Sequence, residues 1–258
     1  MGRPVIFVVP HPDDETLGAG VAIAEHVAAG RDVHVLLMTR GTSSGAIDKI
    51  NGSLWSPWWG APHNPTVEGY QPLDATTLGV ARLREIRAAL GCLGVPADRL
   101  HYAWDLIGTE PVDTQVTVAQ AKAAIVALHS QVMADNPNSG NCGLWTPTHL
   151  VDNNSDHTNV GKASLQLAAE DPVVWADRRY WVIPPYWNDP RLNQVTGRMW
   201  DTPTDAQIAN RVRNACRAYA AWAPAEGLYA FGYHSVADMF AAMDGTTSTN
   251  GPKCLIHK

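Results

Sequence analysis

The sequence predicts an α/β fold, a mainly parallel, twisted sheet with helices on both faces. Three observations carry this expectation. An uninterrupted apolar run opens the chain, short β-like runs alternate with stripes of helical period over the first hundred residues, and glycines stand where those stripes should stop.

Val5–Val9 is apolar at every position, as a parallel strand covered on both faces requires. A single helix is predicted from Glu15 to Ala29, with Gly30 ending it. Val33–Met38 reads as the second strand. Within Gly79–Leu93, the residues Leu83, Ile86, Leu90 and Leu93 step by three and four, the buried face of a helix closed by Gly94. Leu100–Ala103 is a short third strand, and Val118, Ala121, Ile125, Leu128 and Val132 repeat the helical stripe. Gly143–Thr146 and Trp181–Ile183 supply the fourth and fifth strands. A late helix is expected to start near Thr202-Pro203, a cap residue followed by proline at the first helical position, and to end before Pro224. This order belongs to the doubly wound, Rossmann-like class. It directs attention to the loops beyond the carboxyl ends of the strands, those after Val9, Met38, Ala103 and Thr146. No repeat or low-complexity linker divides the chain, so one domain over residues 1–258 is expected. Residues 40–75 form a long connection carrying Trp55, Trp58, Trp59 and Tyr70, readable as a substrate loop or as a surface loop pinned by its own aromatic packing. The stretch 226–258, rich in Gly, Thr, Ser and Asn, is expected to be an irregular tail.

Composition narrows the function. A formal charge of −6 and the absence of any Lys/Arg cluster argue against nucleic acid or an anionic membrane as partner. The opening apolar run is too short for a signal peptide or a membrane span, which points to the cytoplasm. Four scattered cysteines form neither a zinc knuckle nor a disulfide framework. Oligomeric state leaves no mark on the sequence. A small-molecule or glycosylated substrate is the partner class that remains.

The most informative residues are His11-Pro12-Asp13-Asp14-Glu15, directly after the first strand. Pro12 fixes the backbone as it leaves the sheet, so His11 and Asp14 can face one point from opposite sides of a tight turn. An imidazole and a carboxylate suit zinc, whose catalytic sites take three protein ligands and keep one position open for water. Asp13, between them, is placed to take a proton from that water. Read without context, the same string could be a helix N-cap beside a surface histidine.

The string His11-Pro12-Asp13-Asp14-Glu15 after an N-terminal hydrophobic strand resembles the signature of the LmbE-like (PIG-L) deacetylases. That resemblance predicts a downstream Asp-His pair, found here as Asp156-His157. Thr39-x-Gly41, Arg82-x-x-Glu85 and Leu93-Gly94-Val95 fit the same pattern, and the similarity extends over about the first 165 residues. The resemblance implies zinc, or another divalent metal, bound by His11, Asp14 and His157. It implies Asp13 as general base and Asp156 as a carboxylate that tunes the site. The activity implied is removal of an N-acyl group, foremost N-acetyl, from an amino sugar such as an N-acetylglucosaminyl group on a secondary metabolite. A thiol-conjugate amidase is the nearest alternative.

One position departs from the family. Many members carry a histidine three residues before the last ligand, where this chain has Asn154. Asparagine can donate to a developing oxyanion but cannot protonate it. Either Asn154 or the metal alone takes that role, or His149, His63 or His234 arrives from elsewhere. Arg82 is expected to contact substrate or to pair with Glu85 on the helix surface. Trp55 and Trp58, with His234, complete the expected substrate contacts, since flat rings stack on sugars and aromatic acceptors. Two rival readings stand beside this one. Gly41-Thr42-Ser43-Ser44-Gly45 matches the G-x-S-x-G pattern of serine esterases, with Ser43 as nucleophile. A non-catalytic sugar-binding protein on the same scaffold is the other.

Overall fold

The computed structural model describes residues 2–245 and 251–258. In chain order the elements are β1 (Gly2–Val9), α1 (Asp14–Leu17), α2 (Gly20–Ala28), β2 (Arg31–Leu37), α3 (Ala46–Ile50), α4 (Pro65–Glu68) and α5 (Ala75–Leu93). There follow β3 (Leu100–Tyr102), α6 (Ala103–Ile107), α7 (Val118–Asp135), β4 (Gly143–Pro147), α8 (Ser155–Glu170) and β5 (Arg178–Val182). The last third holds β6 (Met199–Asp201), α9 (Ala206–Ala218), β7 (Trp222–Ala223), β8 (Leu228–Tyr229), α10 (Phe231–Asp244) and β9 (Cys254–His257).

The main sheet has seven strands in the order β3-β2-β1-β4-β5-β9-β6. β3 through β5 pair in parallel, and β9 runs antiparallel between β5 and β6. The α/β architecture with a mainly parallel sheet is therefore as the sequence predicted. Alternation along β1 divides the core. Val5, Phe7 and Val9 pack with residues of α2, α5 and α9 on one face, whereas Ile6 and Val8 pack with α7 and α8 on the other. The chain winds from β1 to β2 and β3 on one side, then returns to β4 and β5 on the other. β1 and β4 thus flank the topological switch point, where doubly wound sheets open a crevice.

Four expectations change. The helix predicted over Glu15–Ala29 is two helices, because the Trp181 ring lies so close to Gly18 that a Cβ there would sit 2.2 Å from it. Ala19, at φ −128° and ψ 5°, carries the bend. The late helix starts after Asp205, whose carboxylate accepts the Gln207 and Ile208 amides, rather than at Thr202-Pro203. The helix α8 was not foreseen: its buried stripe of Val160, Ala163, Leu167 and Ala168 is half alanine and follows a polar run. Finally, the stretch from residue 226 is not irregular, since it contains β8, α10 and the sheet strand β9; residues 246–250 lie outside the described residues. Among the described residues all four cysteines are free, and no helix is long and apolar enough to cross a membrane.

Candidate active site

The motif after β1 places its residues by backbone geometry. Pro12 turns the chain out of the sheet, and Asp13 follows at φ 122°, a left-handed conformation that costs a non-glycine residue about 1–3 kcal/mol. Its surroundings hold it there. The Asp13 amide donates to Glu15 Oε2 at 3.1 Å, and its carbonyl accepts the Thr16 and Leu17 amides. Glu15, read in the sequence only as a helix start, is fully buried and also accepts the Tyr219 hydroxyl at 2.7 Å. Burial pushes its carboxyl up to about 7.

This turn brings three donor atoms together with α8. His11 Nδ1 lies 3.3 Å from Asp14 Oδ2, His157 Nε2 lies 3.2 Å from the same oxygen, and the two ring nitrogens are 3.2 Å apart. Atoms about 2.0–2.1 Å from one zinc ion at tetrahedral angles would be about 3.3 Å from each other. Two imidazole nitrogens and one carboxylate oxygen at these separations therefore fit a divalent metal in both chemistry and spacing. The local field agrees. Burial works against charge on His11 and His157, yet surrounding carboxylates raise both rings, His157 to about 9. A site that draws protons onto two imidazoles also favours a bound cation.

Each imidazole is fixed from behind. His11 Nε2 meets Asp156 Oδ2 at 3.2 Å and Asp113 Oδ1 at 3.1 Å. Asp156, fully buried, is itself held by the Thr114 and Val116 amides at 2.8 and 2.9 Å. His157 Nδ1 meets Asp152 Oδ2 at 2.8 Å. Such contacts occupy Nε2 of His11 and Nδ1 of His157, so that a metal would take the place of the proton on the other nitrogen of each ring. Asp113 and Asp152 were missed from the sequence. Asp113 arrives on the loop after α6 with no motif around it, and Asp152 lies five residues before His157 in a run that reads as polar loop.

Arg82 is not on the helix surface and does not pair with Glu85. The residue is 6% exposed, and its guanidinium donates to the carbonyls of Pro12 and Gly41 and to Asp13 Oδ2 at 3.0 Å. Gly41, at φ +67°, permits this, because a Cβ would stand 2.1 Å from Arg82 Nη1. Burial raises the Asp13 carboxyl, with the Asp14 charge adding to it and Arg82 opposing it. Glu85 instead accepts the Phe231 amide at 2.8 Å, and burial pushes it up to about 8.

A pocket of about 400 Å³ opens over these groups. His11, Asp13, Asp14, Arg82, Asn154 and His157 all line it. Asn154 caps α8, its Oδ1 accepting the Asp156 amide at 2.9 Å, while its side-chain NH2 has no partner among the described residues. Trp55, Trp58 and His234 do not line the pocket. Trp55 is 57% exposed, and Trp58 packs on Tyr233 and His234. His234 is buried between Ser56 Oγ at 2.8 Å and His63 Nε2 at 3.3 Å. His149 packs edge-on to Tyr180. No third histidine therefore lines the pocket among the described residues. Ser43 is at the rim, but its amide is spent on Asp113 at 2.6 Å and its hydroxyl meets no histidine among the described residues, so the serine-esterase arrangement is not formed.

Comparison with known proteins shows the family to which the chain belongs. The family model described as GlcNAc-PI de-N-acetylase (PIG-L) matches residues 6–168, a span that includes His11, Asp14 and His157. The chain is 35% identical over 198 residues to a 1D-myo-inositol 2-acetamido-2-deoxy-alpha-D-glucopyranoside deacetylase of Rhodococcus erythropolis, covering 70% of this chain and 61% of that one. It is 28% identical over 216 residues to the protein of that name from Mycolicibacterium gilvum, covering 77% of this chain and 64% of the relative. The chain thus spans less than two thirds of these relatives. In fold it resembles the A40926 pseudoaglycone deacetylase, with a TM-score of 0.62 at 18% identity, covering 99% of this chain and 96% of the other. The sequence match and the placement of its motif residues together establish that the chain belongs to the GlcNAc-PI de-N-acetylase (PIG-L) family.

Proposed function

We propose that this protein is a zinc-dependent amide hydrolase that removes an N-acyl group from an amino sugar. The observation that carries the reading is the triangle of His11 Nδ1, Asp14 Oδ2 and His157 Nε2 beside a buried, cation-held carboxylate, Asp13. When bound there, zinc supplies Lewis acidity toward the amide carbonyl and lowers the pKa of water. The chain's own residues do the rest. Asp13 accepts the proton of the attacking water and passes it to the departing nitrogen. Arg82 holds that carboxylate in place through the Pro12 and Gly41 carbonyls. Asp156 and Asp152 fix the two imidazoles. Asn154 offers its unpartnered NH2 to the carbonyl oxygen as charge develops, a hydrogen bond without proton transfer. The net reaction adds water across the C–N bond and releases a carboxylate and an ammonium. Ser43, Ser44 and Thr114 at the rim can meet sugar hydroxyls.

The names of the relatives support an acetamido-sugar substrate. The test is acyl release from N-acetylglucosaminyl conjugates by metal-stripped and zinc-restored protein. Turnover should depend on zinc. Hydrolysis that survives complete metal removal would refute the reading, and metal binding without hydrolysis of any amide would favour a non-catalytic sugar-binding protein.

A further inference from the structure

We propose that the pocket selects an acyl group longer than acetyl, an aliphatic chain received by Leu17, Ile183, Tyr186, Val236 and Met239. This rests on the N-deacylase reading and extends it to the acyl part of the substrate.

The sheet order divides the pocket. The candidate ligands His11, Asp14 and His157 lie on the segments that follow β1 and β4, in the middle of the strand order. Toward β2 and β3 the lining is polar: Ser43, Ser44, Arg82, Asp113 and Thr114. Toward β5 and α10 it changes character, to Ile183, Pro185, Tyr186, Val236 and Met239, with Ser235 among them. Every charged side chain of the described lining comes from segments following β1 to β4; the β5 and α10 side contributes none.

The apolar flank is one surface. Leu17 and Ile183 are 2% and 8% exposed within the main core cluster, and Tyr186, Val236 and Met239 pack against that cluster while remaining partly open. α10 packs on α1, on the turn containing Tyr186 and on α3, which follows Ser43 and Ser44, so it closes the apolar flank against the polar one. It departs from helical geometry at Val236 (φ −139°, ψ 50°), between the residues that border the pocket. The Tyr186 hydroxyl accepts the Asn153 amide at 3.1 Å, which fixes the ring at the edge of this flank.

Chemistry assigns the two flanks. The group that deprotonates water also protonates the leaving nitrogen, so the amine must stand beside Asp13. Asp13 is tied to Arg82 and hence to the polar side. The amino sugar then lies over the polar flank, where hydroxyls find partners. The remaining substituent of the acyl carbon points away from Asp13, toward β5 and α10. An acetyl methyl would touch only a small part of a wall made by five apolar side chains. Burying each further methylene there is worth about fourfold in affinity.

The experiment compares kcat/KM for N-acetyl-, N-butanoyl- and N-hexanoyl-glucosamine on the zinc-loaded protein. In parallel, the Kd of each is measured on the Asp13→Asn protein. The expected result is a rise with length that places hexanoyl at least about tenfold above acetyl in both measurements, at up to about fourfold per methylene. In Met239→Gln the hexanoyl-to-acetyl ratio should fall by about fourfold, one methylene's contribution; being a ratio, it is insensitive to partial misfolding. A flat series, or a preference for acetyl, with hydrolysis intact would overturn the acyl assignment and leave the N-deacylase reading standing. A rise with alkyl length on the anomeric oxygen instead would place the aglycone on this flank and overturn it too. Hydrolysis of none of the three would remove the deacylase reading itself.

Discussion

Arg82 gives the sharpest quantitative consequence of the structure. The residue is buried, and its guanidinium holds three acceptors, one of them the Asp13 carboxylate at 3.0 Å. In Arg82→Met the stem volume is kept, but a buried carboxylate and two carbonyls lose their only side-chain donor among the described residues. Removing one partner of a buried ion pair costs about 3–5 kcal/mol. The orphaned carbonyls add to this only partly, because the loop around Gly41 can relax toward solvent. With a urea m-value of about 3 kcal/mol/M, the midpoint should fall by about 1–2 M. Tryptophan fluorescence and circular dichroism, recorded on the same samples, give the midpoint and check that unfolding is two-state. A double-mutant cycle isolates the pair. In an Asp13→Asn background, the Arg82→Met substitution should cost at least about 1 kcal/mol less than in the wild type. Additivity within about 0.5 kcal/mol would show that the two charges are screened from each other, and the positioning of Asp13 by Arg82 would fall with it.

Three further outcomes follow from neighbouring groups. The buried Glu85 has its carboxyl raised to about 8 from 4.5, so between those values the folded state holds a proton that the unfolded state has lost. Stability attributable to this group is full below about pH 4.5 and declines up to about 8, so Glu85→Gln should gain on the wild type as pH rises through that window in parallel melts. An unchanged difference from pH 5 to 8 would contradict the assignment. His234, buried and lowered from 6.5 to about 3 by desolvation and the neighbouring His63 and Lys49, behaves oppositely. Its contribution is full above about 6.5 and is lost as pH falls toward 3, so His234→Gln should flatten the acid limb of the melting-temperature profile. Asp152→Asn should weaken zinc binding by about 10–100-fold in competition with a chelator, since Asp152 holds His157 Nδ1 at 2.8 Å; an unaltered affinity would show that the imidazole needs no such partner.

The parts of this molecule that were legible are those whose physics is local. An all-apolar run makes a covered strand whatever follows it, and His11, Asp13 and Asp14 are brought together by one turn. His157 was found through its pairing with Asp156 in a known pattern, although the helix that carries both, α8, was not recognised because alanines dilute its apolar stripe. What stayed hidden depends on distant contacts. Asp113 and Asp152 are ordinary loop acids until folding sets them against His11 and His157. Arg82 has helical spacing to Glu85, and only tertiary structure shows that each turns to a different partner, Asp13 and the Phe231 amide. The tryptophans of residues 40–75 were readable two ways. Trp58, packed against Tyr233 and His234 of α10, follows the packing alternative, whereas Trp55 stays exposed and does not line the pocket. The final stretch looked irregular by composition, yet its Cys254–His257 segment forms a strand, since pairing with β5 and β6 supplies what four residues cannot.

The central claim is that three donors bind one zinc ion and Asp13 works beside it. Elemental analysis of zinc per chain, on wild type, Asp13→Asn and His157→Ala, together with acyl release from the same samples, tests it most directly. About one zinc per chain is expected in the wild type and in Asp13→Asn, markedly less in His157→Ala, and hydrolysis by the wild type alone. Full activity in Asp13→Asn, or undiminished zinc in His157→Ala, would contradict it.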